Sequence, residues 1–242
     1  MMSEKFEEKQ FGLSIPENIS INRTNFLEYY SQFVELMNLY QSAADEVVTK
    51  LKILDNEFSS KYQRNPIHTL KSRIKSPESI LGKLNRKGLP PTADSIRNNL
   101  YDIAGVRVVC QYIDDIYTLA GLLSSHDDIT LLKTKDYIKN PKPNGYRSLH
   151  IVVNVPVFLS TGKEYAPVEI QIRTMAMDFW ASLEHELHYK TGKHVDSALE
   201  DELYFCAETI AETDRRMQNI YKSINTANSP QTDEESTDKN EE

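Results

Sequence analysis

The sequence predicts an α+β fold: a mixed β-sheet flanked by helices, forming one domain with long helical arms. Three patterns predict it. Apolar residues recur at alternating spacings of four and three from Phe26 through Tyr30, Phe33, Met37, Tyr40, Ala44, Val47 and Leu51 to Leu54, which is one stripe of a long helix. Runs of β-branched and apolar residues at 103–112, 148–155 and 168–173 read as strands. A second long stripe, Leu199, Leu203, Cys206, Ile210, Met217 and Tyr221, lies near the end of the sequence. The expected organisation is an extension at 1–22, one domain at 23–225 and an acidic tail at 226–242.

The elements follow in order. Residues 1–22 show no usable period. The 26–54 helix packs along its own domain or against another subunit, and periodicity does not separate the two. Arg73-Ile74-Lys75 is extended, so both cations share a face. Ser76-Pro77-Glu78 has the makeup of a helix start: Ser at the N-cap, Pro at the first position, an acid in the first turn. Ile80, Leu81 and Leu84 then face inward, and Gly88, Pro90 and Pro91 end the helix. Ser79 and Lys83, four apart, extend the cationic face. Residues 103–112 read as a central strand entered from Asp102, 115–123 as a helix, and 129–133 as a strand. Lys139-Asn140-Pro141-Lys142-Pro143-Asn144-Gly145 is a loop by composition. After the strand at 148–155 and a turn at Thr161-Gly162 comes the strand at 168–173. Thr174 caps a helix reaching about Lys190, with Met175, Phe179, Leu183 and Leu187 inward. The last helix covers 197–225. From Thr226 onward only Ala227 is apolar, so the tail is expected to be disordered.

Composition narrows the class. Of 242 residues 39% are apolar, enough for a core, and no run approaches the ~20 apolar residues of a membrane span. The acidic start lacks an apolar signal core, and two cysteines do not make a disulfide framework; Cys110, within VRVVCQY, reads as a buried thiol. A soluble cytoplasmic protein is expected. The net charge of −8 is segregated. Residues 1–60 carry 10 acids and 5 bases, whereas 71–87 carries six bases and one acid, and 133–147 five bases and one acid. Two basic islands on an acidic chain indicate either a local polyanion site or two solvated loops, and argue against the broad basic surface that grips duplex nucleic acid.

The chemistry concentrates in Val168-Glu169-Ile170-Gln171-Ile172-Arg173. One face is aliphatic; the other presents an acid, an amide and a guanidinium. Alone, this is the solvent side of an antiparallel sheet. Asp102 at the start of another strand, and Arg107 embedded among valines where an unpaired charge is costly, give it a second meaning. Two carboxylates on neighbouring strands suit Mg²⁺, which takes few carboxylates together with substrate phosphates. Arg73, Lys75, Lys83 and Arg107 are the natural phosphate ligands. Tyr146 is either a hydrophobic anchor or, with Lys142, Arg147 and His150 nearby, a platform that stacks on a base. Neither a Walker loop nor GxGxxG is present. His185, His188 and His194 leave only a weak metal alternative, since His185-Glu186-Leu187-His188 lacks the HExxH spacing.

Four stretches together carry a resemblance: Arg73-Ile74-Lys75 with Ser79 and Lys83; Asp102-Ile103-Ala104-Gly105-Val106-Arg107; Lys135-Asp136-Tyr137-Ile138 through Asn144-Gly145-Tyr146-Arg147-Ser148-Leu149-His150; and Glu169-Ile170-Gln171-Ile172-Arg173-Thr174 with Asp178-Phe179-Trp180-Ala181. In collinear order over about 65–195 they resemble RelA/SpoT-type (p)ppGpp synthetases, among them the stand-alone small alarmone synthetases. The resemblance implies a nucleotidyltransferase-like synthetase domain that moves the β,γ-pyrophosphate of ATP onto the 3′-hydroxyl of GDP or GTP and releases AMP. By position, Arg73, Lys75, Ser79, Lys83 and Arg107 hold ATP, and Asp102 binds Mg²⁺. Glu169 is the general base and touches the metal. Tyr146 stacks on guanine, with Lys142, His150, Gln171 and Asp178 around the acceptor. A homotetramer is implied, with the 26–54 and 197–225 helices at its interface. With some 65 residues before this region and about 45 after it, a hydrolase half and regulatory domains are not expected. Asp178 departs from the pattern, standing where relatives place His or Asn. Two alternatives stay open: a nucleotidyltransferase of related fold that transfers AMP, and a non-catalytic nucleotide- or RNA-binding regulator.

Overall fold

The computed structural model describes residues 23–191 and 196–227, with side chains over 30–187 and 196–226. The expected extension at 1–22, residues 228–242 of the tail expected from 226, and the side chains of Phe26, His188 and His194 lie outside the described residues. Thr226 and Ala227 belong to the last helix instead of the tail. Six helices and five strands are described: α1 (Arg23–Tyr62), β1 (Ile67–Ile74), α2 (Pro77–Arg86), α3 (Ala93–Asn99), β2 (Ala104–Cys110), α4 (Ile113–Ser124), β3 (Thr130–Asp136), β4 (Leu149–Leu159), β5 (Gly162–Thr174), α5 (Met175–Thr191) and α6 (Ser197–Ala227). The strands form one mixed sheet in the order β1-β2-β5-β4-β3, parallel only between β2 and β5. The α+β class is as the sequence predicts.

One sheet face is the core. Along β5, Val168, Ile170 and Ile172 are fully buried, and Val106, Val108, Ile151 and Val153 continue that layer on β2 and β4. Helix α1 covers it with Leu36, Leu39, Tyr40, Ala43, Ala44, Val47, Leu51 and Leu54, and α4 adds Ile116, Leu119 and Leu123. The α1 stripe is therefore wider than the 4-3 pattern marked, as expected for a helix lying across a sheet rather than along a coiled-coil seam. Burial pushes the Tyr40 hydroxyl up to about 12, so it stays neutral. The opposite face of β5 carries Glu169, Gln171 and Arg173.

Several expectations need correction. The segment read as the central strand is β2, one position from the sheet edge, while β5 sits in the middle. An apolar run reports burial, not rank in the sheet, because strand order depends on pairings distant in sequence. Helix α3 is an element the sequence reading missed: Thr92 caps it by accepting from Ser95 N at 3.2 Å, just beyond the Pro90-Pro91 break. Helix α5 is rotated relative to its expected stripe. Met175, Phe179, Leu183 and Leu187 are exposed, and Met177, Trp180 and Ala181 are buried instead. The reason lies in α6: Trp180 Nε1 donates to Leu203 O at 2.9 Å, and Ala181 packs with Ala207, so small residues bring the two helices together. On α6 the buried positions are Ala207, Ala211, Asp214 and Gln218, with Leu203, Ile210 and Tyr221 partly covered, while Leu199, Cys206 and Met217 are exposed.

Candidate active site

Local sequence places the cationic half of the site. Ser76 caps α2 by accepting from Ser79 N at 3.3 Å, as its Ser-Pro-Glu start predicts. The helix then carries Lys83 back over the end of β1. Lys75 Nζ and Lys83 Nζ both donate to Asp102 Oδ2 at 2.6 Å. Burial pulls the Asp102 carboxyl up, but these two hydrogen bonds and charges outweigh it and hold the group below the usual carboxylate range. The other oxygen, Oδ1, is buried without a hydrogen-bond partner.

Register does the rest. Arg73 lies opposite Gly105 on β2, and Gly105 opposite Glu169 on β5. Two strand spacings, about 10 Å, thus separate the backbones at Arg73 and Glu169, and because Gly105 carries no side chain between them, the Arg73 side chain lies over it. Val106, by contrast, belongs mainly to the core. An open cleft of about 300 Å³ results, lined by Lys71, Ser72, Arg73, Asp102, Gly105, Val106, Arg107, Glu169 and Gln171. The two carboxylates and the two arginines predicted from sequence meet there. Ser79 sits apart from the lining, in the first turn of α2, where it accepts from the Ser76 hydroxyl at 3.0 Å.

The next register row, Lys71, Arg107, Gln171, His150 and Lys135, runs across all five strands. It leads into the half of the site around Tyr146. Gln171 Nε2 donates to Glu169 Oε2, and Gln171 Oε1 accepts from Arg173 Nη2, both at 3.0 Å. The same Nη2 donates to the Tyr146 hydroxyl at 3.3 Å, which lies 2.8 Å from His150 Nε2. His150 Nδ1 is 3.8 Å from Glu169 Oε1, so the polar chain returns to its starting carboxylate. Burial, then the charges of Arg173, Lys142 and Lys135, lower the His150 imidazole to about 4. At neutral pH it is uncharged: Nε2 accepts from Tyr146 and Nδ1–H lies on the Glu169 side. Burial raises the Tyr146 hydroxyl, opposed in part by Arg173. Lys142 Nζ lies 4.6 Å from the Tyr146 ring centroid, and the Tyr137 ring meets Tyr146 edge-on at 6.0 Å.

Asp178, in the first turn of α5, approaches Arg173 Nη1 at 3.4 Å and Arg107 Nη1 at 3.6 Å. The loop bearing Lys142 and Tyr146 is fixed from behind. Arg147 Nη1 donates to Gly145 O at 3.0 Å and Nη2 to Glu208 Oε1 at 2.7 Å. Gly145 has φ +85°, and a Cβ there would lie 2.5 Å from Ala207 Cβ, so only glycine lets the loop approach α6 this closely.

Sequence reasoning assigned no role to Arg173, Lys71 or Gly105. Arg173 is 2% exposed, and its signal was a cation alternating with Glu169 and Gln171 at the end of an otherwise aliphatic strand. Lys71 continues the alternation of Arg73 and Lys75. Gly105 carried no signal of its own, since its value is the side chain it lacks.

Two carboxylates and a ring of cations beside an aromatic platform, on the open face of a mixed sheet, define a protein that handles nucleotide phosphates. A family described as "Region found in RelA / SpoT proteins" matches residues 72–194. The chain is 47% identical over 186 residues to GTP pyrophosphokinase YwaC of Bacillus subtilis, covering 77% of this chain and 89% of that one. It is 36% identical over 188 residues to GTP pyrophosphokinase YjbM of the same organism, covering 78% and 88%. Among solved structures it is similar to small alarmone synthetase 2 from B. subtilis (TM-score 0.71, 46% identity, 77% of this chain and 97% of that one). Small alarmone synthetase 1 from B. subtilis bound to its product pppGpp is also similar (TM-score 0.73, 34% identity, 80% and 98%). The chain belongs to the RelA/SpoT family and groups with its small alarmone synthetases.

Proposed function

We propose that this protein is a GTP pyrophosphokinase that transfers the β,γ-pyrophosphate of ATP to the 3′-hydroxyl of GDP or GTP, giving (p)ppGpp and AMP in a stress response. The observation that carries this reading is the shared cleft of Asp102 and Glu169: Arg73 and Arg107 line the same space, and Gln171 and Arg173 link Glu169 to Tyr146.

Arg73, Lys75, Lys83 and Arg107 bind the ATP phosphates, and Ser79 lies at the rim of that half. Tyr146 supports the guanine, with Lys142, His150 and Gln171 around the acceptor. Glu169 takes the proton of the 3′-hydroxyl, a poor nucleophile until a carboxylate does so. The freed oxygen bonds to the β-phosphorus, and the bond from that phosphorus to the α,β-bridging oxygen breaks. That oxygen departs on AMP, a stable leaving group because a phosphate monoester's second pKa is about 6. The cations neutralise charge on the oxygens around the attacked phosphorus.

The residues fit a divalent cation. Asp102 and Glu169 line one cleft, and the buried Asp102 Oδ1 has no hydrogen-bond partner, which suits an ion that takes few carboxylates and completes its shell with phosphate oxygens and water. Asp102 and Glu169 would hold Mg²⁺, which supplies charge neutralisation at the transferred phosphates.

No helix of the described residues is long and apolar enough to cross a membrane. We place the enzyme in the cytoplasm, with its nucleotide substrates, and take 23–225 as one synthetase domain around the single sheet. The exposed stripe of Met175, Phe179, Leu183 and Leu187 supports self-association, with a homotetramer as the expected state. Incubation with ATP and GDP, followed by chromatographic separation of nucleotides, tests the reaction. ppGpp with AMP supports it, and free pyrophosphate with an adenylylated acceptor supports AMP transfer instead.

A further inference from the structure

Arg107 and Arg173 stand on neighbouring strands and project from the same sheet face, since Arg107 is paired with Gln171 and Val109 with Arg173. Each does a different task. Arg107 lines the donor cleft, whereas Arg173 hydrogen-bonds Gln171 and Tyr146 in the acceptor half. Two guanidiniums this close repel unless a counter-charge lies between them. Asp178 Oδ1 is that counter-charge, 3.6 Å from Arg107 Nη1 and 3.4 Å from Arg173 Nη1. Both separations are too long for good hydrogen bonds. In keeping with this, Asp178 Oδ1 and Arg173 Nε are buried with no hydrogen-bond partner. Burial also lowers the pKa of Arg173, which reflects the cost of keeping its charge there, and Tyr146 and Asp178 offset that only in part. One carboxylate oxygen is divided between two cations and satisfied by neither.

We infer that Asp178 is a positioning residue that couples the two nucleotide sites, rather than a reader of the guanine edge. This inference rests on the proposed function. When ATP phosphates draw Arg107 into the cleft, Asp178 Oδ1 is left to Arg173 alone. The pair then closes to hydrogen-bonding distance and fixes the guanidinium that orients Gln171 and Tyr146. ATP thereby prepares the acceptor site, and by linkage the acceptor tightens ATP by the same factor.

The test measures binding of α,β-methylene-ATP by calorimetry with and without GDP, for wild type, Asp178→Asn and Asp178→Glu. Wild type shows GDP tightening the analogue at least ~5-fold, within the usual range of such couplings. Asp178→Asn, with an unchanged thermal midpoint, brings that factor close to one and raises KM for both ATP and GDP. Its preference for GDP over IDP, which lacks the exocyclic amine, is unchanged. Asp178→Glu restores part of the coupling. Arg107→Gln, at a partly exposed position, severs the same link from the donor side and lowers the factor likewise. A coupling factor intact in Asp178→Asn overturns the inference, and so does a variant in which only the GDP KM rises while the GDP/IDP preference collapses. Wild type that binds both nucleotides without coupling overturns it too. Wild type that makes no product from ATP and GDP contradicts the proposed function instead.

Discussion

Gln171 Nε2 donates to Glu169 Oε2 at 3.0 Å, from two residues further along the same face of β5. The contact fixes which way the carboxylate faces, and Arg173 in turn fixes the amide by donating to Gln171 Oε1. A base held at one angle abstracts a proton better than one free to rotate. Gln171→Met keeps the length of the side chain and removes both hydrogen bonds. Steady-state kinetics with ATP and GDP are expected to show kcat lower by roughly 10- to 100-fold, the scale of a misplaced catalytic group. An unchanged kcat contradicts the orienting role.

Gly145 joins the Lys142–Tyr146 loop to α6. An alanine there meets Ala207 Cβ at 2.5 Å while φ is +85°, so the loop must lift from the helix. Gly145→Ala is expected to lower stability by about 1–3 kcal/mol, from backbone strain together with overpacking. Thermal unfolding measures the loss. Kinetics are expected to show the acceptor KM rising further than the ATP KM, because Lys142 and Tyr146 travel with the loop.

Asp214 on α6 accepts from the Thr174 hydroxyl at 2.6 Å, at the junction of β5 and α5. Burial raises its carboxyl above the ordinary value of 3.8, and the Thr174 bond opposes this only in part. An acid raised by folding contributes stability that is complete below its unfolded pKa and is lost as pH rises through its folded pKa. Asp214→Asn keeps an acceptor for Thr174 and removes the charge. Relative to wild type, the variant is therefore expected to gain stability progressively from about pH 4 toward neutrality. Denaturant melts at both ends of that range check the sign, and a difference independent of pH contradicts the assignment.

What the sequence disclosed was whatever a short stretch determines by itself. The Ser76 cap, the alternation of Val168 to Arg173 and the Pro/Asn/Gly loop before Tyr146 each reflect local chemistry, and each reappears in the structure. That Arg73, Arg107 and Glu169 share a cleft was legible for the same reason, since charged residues placed among aliphatics on a strand have few structural uses. Lys83 on α2 and Asp102 just before β2, by contrast, reach it from outside the sheet. Properties that depend on distant partners were not legible. Helix α5 carries two faces of apolar residues, and which one is buried depends on Trp180 and Ala181 meeting Leu203 and Ala207. Arg173 looks like the end of a strand until Tyr146, Gln171 and Asp178 gather around it. Glycine at 105 matters only because Arg73 and Glu169 come to stand on either side of it.

The central claim is that Glu169 acts as the base in a pyrophosphoryl transfer. Glu169→Gln replaces the carboxylate with an amide of the same shape. With ATP and GDP the substituted enzyme is expected to lose turnover by at least ~10²-fold, the lower scale for general-base catalysis, while calorimetry still records GDP binding. Synthesis of ppGpp at the wild-type rate by Glu169→Gln would contradict the account.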